Sequence, residues 1–123
     1  MKVYLFMAGL LLLFAACTHS QQVTNFIPGI YANHAESAYS VADDTLIVTG
    51  ENGNANNYHI IRRTTFWRKE GNKKQPPQHK IKNYTAVWDN SKQVLQITQN
   101  GGLLLFRPDE NKLLMENSEY RKL

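Results

Sequence analysis

Side chains able to act as catalysts or metal ligands are present in this sequence, but their spacing does not build a catalytic site. Asp43 and Asp44 are adjacent, and adjacent carboxylates on an extended chain point to opposite faces, so they cannot work together as general acid and base. We expect them in a turn before a strand. Ser37 and Ser40 lie near His34, yet neither serine stands in the G-x-S-x-G turn that exposes a hydrolase nucleophile.

The histidines have no spacing typical of metal ligands, such as H-x3-H, and no cysteine pair accompanies them. We expect them at the surface or at strand edges: His19, His34, His59 and His79. With no phosphate-binding glycine-rich loop either, the sequence predicts no catalytic residue, no metal site and no cofactor. The protein is therefore not expected to be an enzyme.

Cys17 is the single cysteine, and it is the one residue whose surroundings predict a defined chemistry. It follows a cation at Lys2, an apolar run of about 12 residues (3–14) and two alanines. Such a run suits a signal peptide, whereas crossing a hydrocarbon core of about 30 Å needs about 20 residues. The stretch before the cysteine resembles a bacterial lipobox, although Phe14 occupies the place where Leu, Val or Ile is usual. The pattern predicts a lipoprotein signal peptide at residues 1–16 and lipidation of Cys17, with secretion as a free thiol as the alternative.

Lipidation would anchor the protein to a membrane. The Cys17 sulfur would carry diacylglycerol and the new amino terminus would be acylated, as with palmitate, and each buried CH2 contributes about 0.8 kcal/mol. A lone cysteine also excludes an intramolecular disulfide, so the domain must be held together by its core. Thr18 stands where an aspartate commonly retains lipoproteins in the inner membrane. We therefore predict an outer-membrane lipoprotein of the cell envelope that faces the periplasm, with surface display left open.

The mature chain has the size of one domain. Without residues 1–16 it holds 13 Lys and Arg against 10 Asp and Glu, a net charge of about +3. A chain of this length can bury a single core without disulfides. We divide it into the lipidated cysteine and a polar tether at 17–25 and a single β domain at 26–123, and we expect a monomer.

Turn-forming residues recur roughly every 8 to 15 residues from Phe26 onward, and the segments between them have β-type composition. The Asn100–Gly102 segment is the clearest hairpin signal, and Pro76 with Pro77 interrupts the longest strand segment. A short helix over 34–41 is an open alternative to an extended segment. The predicted strands are 29–33, 44–50, 57–69, 80–88, 93–99, 103–107, 112–116 and 118–122.

These strands predict an all-β fold, an antiparallel meander of about seven or eight strands. An open meander would leave two unpaired edges, and closing the sheet removes them. We therefore favour a lipocalin-like small barrel, closed or half-open, over a sandwich.

Charge is unevenly distributed along the chain. Residues 62–82, named here the basic hairpin, contain eight cations and a single acid, Glu70, a net charge of +7. The rest of the mature chain must then carry about −4, since the whole carries about +3. Aromatic residues are interleaved with the cations, and the candidate partner-binding residues are Arg62, Arg63, Phe66, Trp67, Arg68, Lys69, Lys73, Lys74, Lys80, Lys82 and Tyr84.

The basic hairpin could bind nucleic acid, anionic lipid head groups or an acidic protein surface. A location outside the cytoplasm argues against nucleic acid and leaves an envelope protein or anionic lipid. If the strands pair about Lys74, Thr64 faces Tyr84 and Phe66 faces Lys82. The plain alternative is that these cations only aid solubility and protect an exposed edge. We expect Trp67 and Trp88 to pack in the core.

Three segments carry a resemblance to a known group: IPGIYANHAESAYSVADDTL, YHIIRRTTFWR and SEYRKL. With the lipobox, they resemble small lipoproteins of Bacteroidota, and the likeness covers most of the mature chain. That group has no assigned activity, catalytic residue or ligand. What the resemblance implies is a lipoprotein and an association with conjugative elements.

Two main hypotheses for function follow. The first is a non-enzymatic module that binds an envelope protein, and the alternative is a lipocalin-like carrier of a small apolar ligand or lipid. A component associated with a conjugative element is the third option. The interior of the barrel should discriminate between the first two, because a carrier needs an open cavity whereas a binding module can be filled by bulky side chains.

Overall fold

Nine strands account for most of the residues that the computed structural model describes, which are 23–53 and 55–123. The predicted signal peptide at 1–16, the predicted lipidation site Cys17 and His19 lie outside these residues. The strands are β1 Gly29–Glu36, β2 Ser40–Gly50, β3 Asn57–Glu70, β4 Lys73–Lys74, β5 Gln78–Asp89, β6 Val94–Ile97, β7 Leu103–Arg107, β8 Lys112–Met115 and β9 Ser118–Lys122.

Eight of these strands form a closed antiparallel barrel, and the short β4 extends the sheet beside β3. Each barrel strand pairs with the next one along the chain, and β2 pairs with β3 over eleven residue pairs. The first and last strands also pair, Tyr31 with Lys122 and Ala32 with Arg121, which leaves the eight-stranded ring without a free edge. The prediction of an all-β, lipocalin-like small barrel is confirmed, and the barrel is closed rather than half-open.

Alternation of side chains along the strands places one apolar set inside the barrel. Trp88 is 5% exposed and belongs to this core, as predicted, and its indole Nε1 has no hydrogen-bond partner among the described residues. Phe106 packs edge-on against Tyr31, with 5.8 Å between ring centroids. The most deeply buried members are Ile27, Tyr31, Leu46, Val48, Ile60, Leu95, Leu104, Leu113 and Tyr120.

One end of the barrel is filled by the segment that precedes β1. Residues 23–26 form a helical turn, and Val23 and Ile27 are 5% and 0% exposed within the core. The Tyr31 hydroxyl donates to the backbone carbonyls of Phe26 and Ile27, at 2.7 and 2.9 Å. The tether predicted at 17–25 therefore extends too far, because residues 23–25 already belong to the folded domain.

The strands differ in length around the barrel, and this difference leaves the basic hairpin overhanging the other end. Strands β3 and β5 have 14 and 12 residues, whereas β6 to β9 have four or five each. Strand β6 pairs only with the last part of β5, from Ala86 to Asp89. The earlier part of β5 consequently has a ladder partner on the β3 side only.

The predicted register of the basic hairpin is wrong. Its turn is at Gly71 and Asn72, where Glu70 pairs with Lys73, and not near Lys74. Gly71 has a φ of +61°, the left-handed conformation that a tight two-residue turn requires and glycine adopts without strain. After β4 the chain leaves the ladder at the two prolines, which have no N–H to donate.

Pairing resumes at β5 with a different register from the one predicted. Thr64 faces Lys80 rather than Tyr84, and Phe66 faces Gln78 rather than Lys82. The shift is by an even number of residues, so the same side chains share a face as in the predicted register.

Two further local expectations are corrected. The segment 34–41 contains no helix: it is the end of β1, a turn at residues 37–39 and the start of β2. Asp43 and Asp44 lie within β2 rather than in a turn before a strand. They do point to opposite faces, since Asp43 is exposed and Asp44 is 6% exposed.

Candidate functional site

The alternation of the strands divides the predicted binding residues between two faces of the basic hairpin. The inner face, which continues the interior of the barrel, carries Arg62, Phe66, Lys80, Lys82 and Tyr84. The outer face carries Arg63, Trp67, Lys69 and Lys74, while Arg68 and Lys73 lie near the turn. The structure therefore does not bring the predicted set together as one surface.

Asp44 is the centre of a polar cluster on the inner face, reaching it from β2. Its Oδ2 lies 2.9 Å from Arg62 Nε and 2.7 Å from Arg62 Nη2. Thr64 donates its hydroxyl to Oδ1 at 2.9 Å, and Tyr120 donates to Oδ2 at 2.5 Å. Three strands, β2, β3 and β9, thus meet at one carboxylate.

The members of this cluster differ in burial, and their contacts shift the pKa values of two of them. Asp44 has a side chain 8% exposed, while that of Arg62 is 35% exposed. The hydrogen bond to Asp44 holds the pKa of Arg62 above its ordinary value, against the opposing effect of burial. Burial, reinforced by the hydrogen bond to Asp44, raises the pKa of the Tyr120 hydroxyl well above its ordinary value. Asp44 is therefore the common partner whose hydrogen bonds raise the pKa values of both Arg62 and Tyr120.

A cleft of about 250 Å³ opens beside this cluster on the inner face, at the overhanging end of the barrel. Arg62 and Lys82 stand directly opposite each other across the β3–β5 ladder, and Lys80 stands opposite Thr64. The ammonium of Lys80 lies 5.5 Å from the centroid of the Phe66 ring, a cation–π contact. The residues that line the cleft are Arg62, Thr64, Phe66, Lys80 and Lys82.

The outer face combines cations with a partly exposed aromatic ring, that of Trp67. Trp67 is half-buried on this face rather than in the core, so its expected core position is wrong. Lys74 Nζ lies 5.7 Å from the Trp67 ring centroid. Lys69 is paired with Glu36 at 2.8 Å, and Lys69 holds the pKa of Glu36 below its usual value. Ile81, also on this face, is 64% exposed.

Most cations of the basic hairpin lack a carboxylate partner. Within residues 23–53 and 55–123, ion pairs engage only Arg62, with Asp44, and Lys69, with Glu36. The six without such a pair are Arg63, Arg68, Lys73, Lys74, Lys80 and Lys82.

The interior of the barrel leaves little room for a ligand. A cavity among apolar core side chains near the overhanging end measures about 30 Å³, which is the volume that one water molecule occupies in the liquid. It lies between Leu46, Ile60, Ile97, Leu104 and neighbouring residues. Bulky side chains fill the barrel here.

No protein-family model, curated protein or solved structure matches this chain. Fold and site geometry must therefore carry the functional argument. In the part of the chain that the structure describes, no cluster of three or more His, Cys, Asp and Glu is arranged to hold a metal ion. The same residues include no helix with the length and apolar character needed to cross a membrane.

The polar cluster contains three residues that were not among the predicted site residues, Asp44, Thr64 and Tyr120. A signal for Asp44 was present in the sequence. Side chains alternate between the two faces of a strand, and Asp44 stands two and four residues before Leu46 and Val48 in β2, so all three point to the inside of the barrel. Tyr120 could not have been linked to it, since 76 residues separate the two and only closure of the barrel brings them together.

Of the remaining candidates, His34, His59 and His79 lie at exposed or half-buried strand positions. His34 Nδ1 lies 2.5 Å from Asp43 on the outside of the barrel. Ser37 and Ser40 hydrogen-bond to each other within the β1–β2 turn, where they stabilise the turn.

Proposed function

We propose that this protein is a lipid-anchored, non-enzymatic binding module of the cell envelope, which recognises an acidic envelope protein through the outer face and tip of its basic hairpin. The single observation that carries the proposal is a set of cations with no carboxylate partner among the described residues, on a hairpin that projects beyond the barrel. The lipid anchor at Cys17 and the outer-membrane location rest on the sequence pattern.

The charge arrangement supports recognition of an acidic surface. Arg63, Arg68, Lys73 and Lys74 have no carboxylate partner in the described chain, and like charges at close range repel each other. An acidic partner would relieve this repulsion and would be attracted over a distance of roughly a Debye length. Trp67 and Ile81 add exposed apolar area beside the cations, as the centre of a protein interface requires.

The path of the chain favours a partner away from the anchoring membrane. Residue 23 enters the barrel at the end that Ile27 fills, level with Gly29, Val48 and Ile60. The end of β3 at Glu70, beside the turn, lies ten residues further along the strand from Ile60, about 33 Å at roughly 3.3 Å per residue. The six residues from Cys17 to residue 22 span at most about 20 Å. An anchored barrel standing on this end would present the hairpin outward.

An apolar carrier has weaker support. An acyl chain or similar ligand needs a pocket of several hundred Å³, whereas the cavity among the apolar core residues measures about 30 Å³.

Crosslinking in the native envelope tests the proposed partner. The lipidated protein would be compared with a hairpin variant, Arg68→Gln/Lys73→Gln/Lys74→Gln, and with a control, Lys92→Gln/Arg107→Gln/Arg121→Gln. All six side chains are exposed and lack an ion pair among the described residues, and both variants lose the same charge. We expect one dominant acidic partner with the wild type and the control but not with the hairpin variant. Equal capture by all three would remove the hairpin from the proposal.

A separate experiment tests the anchor. Mass spectrometry of the N-terminal peptide should find a diacylglycerol-modified cysteine at position 17, and Cys17→Ser should release the protein from the membrane fraction. An unmodified thiol would contradict the anchor while leaving the barrel and its hairpin unaffected.

A further inference from the structure

The inner face of the basic hairpin has a different chemistry from its outer face, and we propose that the cleft there binds a phosphate monoester group between Lys80, Lys82 and Arg62. The cleft lies on the opposite face of the basic hairpin from the outer face that is proposed to bind a partner. Phosphate would therefore bind there even if the outer face bound no protein.

The cleft concentrates positive charge that the described chain does not neutralise. Arg62 and Lys82 face each other across the ladder and Lys80 is diagonal to Arg62, an arrangement that is destabilising when nothing lies between the cations. Asp44 is the carboxylate that contacts this group, and it pairs with Arg62. Lys80 and Lys82 therefore leave a local charge of about +2 at neutral pH, since both side chains are lysines.

Asp44 has no capacity left to pair with either lysine. Its Oδ2 accepts from Arg62 Nη2 and the Tyr120 hydroxyl, and its Oδ1 accepts from the Thr64 hydroxyl. Arg62 Nε is shared between the two oxygens, at 2.9 Å from Oδ2 and 3.2 Å from Oδ1, so about all four acceptor positions of the carboxylate are used. These contacts hold the Arg62 guanidinium by one edge. No hydrogen bond of Arg62 Nη1 is found within the described residues, and a guanidinium fixed in this way is well suited to bind phosphate oxygens.

Charge and size together select the ligand class. A phosphate monoester carries about −1.5 to −2 at pH 7, which matches the unneutralised +2, whereas a carboxylate supplies only −1. A cleft of about 250 Å³ has room for a phosphoryl group and a small organic part. The Phe66 ring, which lines the cleft beside Lys80, would contact that organic part.

Titration with inorganic phosphate and with phenyl phosphate tests the site by calorimetry. The protein is the mature chain from residue 17 with Cys17→Ser, because a lipidated chain would attach to any vesicle in the second experiment. The inner variant is Lys80→Gln/Lys82→Gln, and the matched control is Arg63→Gln/Lys74→Gln on the outer face. All four side chains are exposed, so folding should be retained, and circular dichroism would check it.

We expect phenyl phosphate to bind at least tenfold more weakly to the inner variant and within about twofold of wild type to the control. Acetate should bind much more weakly than phosphate. Equal losses in both variants would show a diffuse effect of charge and overturn the proposal. So would the absence of phosphate binding to the wild type at millimolar concentration.

Vesicles distinguish the two sources of a phosphate monoester. Phosphatidic acid has a monoester head group, whereas phosphatidylglycerol has a diester. Vesicles of phosphatidylcholine that contain about 20 mol% of one or the other would be compared by co-sedimentation. Selective binding to phosphatidic acid, lost in the inner variant and displaced by phenyl phosphate, identifies a lipid head group as ligand. Binding of phenyl phosphate without vesicle binding identifies a soluble ligand. Equal binding to both vesicles, with no loss in the inner variant, would contradict the site.

Discussion

Tyr120 donates its hydroxyl to Asp44 across a separation of 76 residues, and this contact joins the last strand of the barrel to the second. The same carboxylate holds Arg62 and Thr64 of β3. Asp44 thus links strands from both sides of the seam where β1 and β9 close the barrel. It also neutralises one of the cations that line the inner cleft. Barrel closure and cleft electrostatics depend on one buried carboxylate.

Replacing Asp44 by Asn should therefore destabilise the fold. The substitution keeps the shape but leaves the Arg62 charge unpaired opposite Lys82. Breaking a buried ion pair costs about 3–5 kcal/mol; we expect about 2–3 kcal/mol here, because the Arg62 side chain is 35% exposed. Urea denaturation would measure the free energy of unfolding. Asp43→Asn, one residue away on the exposed face and paired only with His34, should change it by less than about 0.5 kcal/mol. Similar effects of the two substitutions would contradict the assigned role of Asp44.

Alkaline pH should destabilise the protein through its buried tyrosines. Burial raises the pKa values of Tyr31 and Tyr120 in the folded protein above the ordinary value of 10.0. Between pH 10 and the folded-state pKa, only the unfolded chain releases these protons, so ionisation lowers the free energy of the unfolded state relative to the folded state. Stability is complete below about pH 10 and falls above it, by about 1.4 kcal/mol per pH unit for each such group.

Tyr120→Phe tests this assignment. It should lower the free energy of unfolding at pH 7 by about 1–2 kcal/mol, because Asp44 loses a hydrogen-bond donor. Above pH 10 it should also reduce the slope of stability against pH by the contribution of one tyrosine. Urea denaturation at several pH values measures both, and an unchanged slope would show that Tyr120 already ionises normally in the folded protein.

The strands were readable from the sequence because their signals are local. The Asn100–Gly102 turn and the alternation of Leu46 and Val48 depend on neighbouring residues alone, and so the fold class and the positions of the eight barrel strands were predicted. The boundaries were less accurate, since β1 ends three residues later and β2 begins four residues earlier than predicted. Which strands meet at closure depends on residues far apart. The pairing of Tyr31 with Lys122, and with it the polar cluster, has no local signal.

The N-terminal segment shows a similar limit. The run from Thr18 to Asn25 is polar in composition and reads as a tether, yet Val23 is buried. A single apolar residue in a polar run gives no periodicity, and its burial follows only from the open end of the barrel that it covers.

The filling of that end by Ile27 can be tested directly. Ile27 is 0% exposed, whereas Ile30, three residues later, is 44% exposed. Ile27→Ala should lower the free energy of unfolding by about 2–4 kcal/mol through lost burial and the cavity left behind, while Ile30→Ala should cost less than about 1 kcal/mol. Chemical denaturation of the two variants gives the comparison. Equal and small losses would mean that the segment before β1 does not seal the barrel.

The position of the turn in the basic hairpin decides which cations share the inner cleft, and Gly71 offers a test of it. Gly71 has a φ of +61°, and a Cβ added there would meet no atom within 4 Å, so Gly71→Ala should act through backbone conformation alone. A left-handed alanine costs about 1–2 kcal/mol. The Gln75 amide donates to the Arg68 carbonyl across this turn, at 2.7 Å. Because the hairpin overhangs the barrel, we expect the cost to appear as local opening, with hydrogen exchange of the Gln75 amide about 5- to 30-fold faster.

Gly50→Ala is the control, since its φ is not positive and its added Cβ would lie 3.9 Å from Tyr58, and it should leave the exchange of this amide unchanged. In a register centred on Lys74, Gly71 would lie within a strand and Gly71→Ala would slow or preserve exchange. An increase confined to the Gly71 variant would therefore support the turn at Gly71, and with it the placement of Lys80 opposite Thr64.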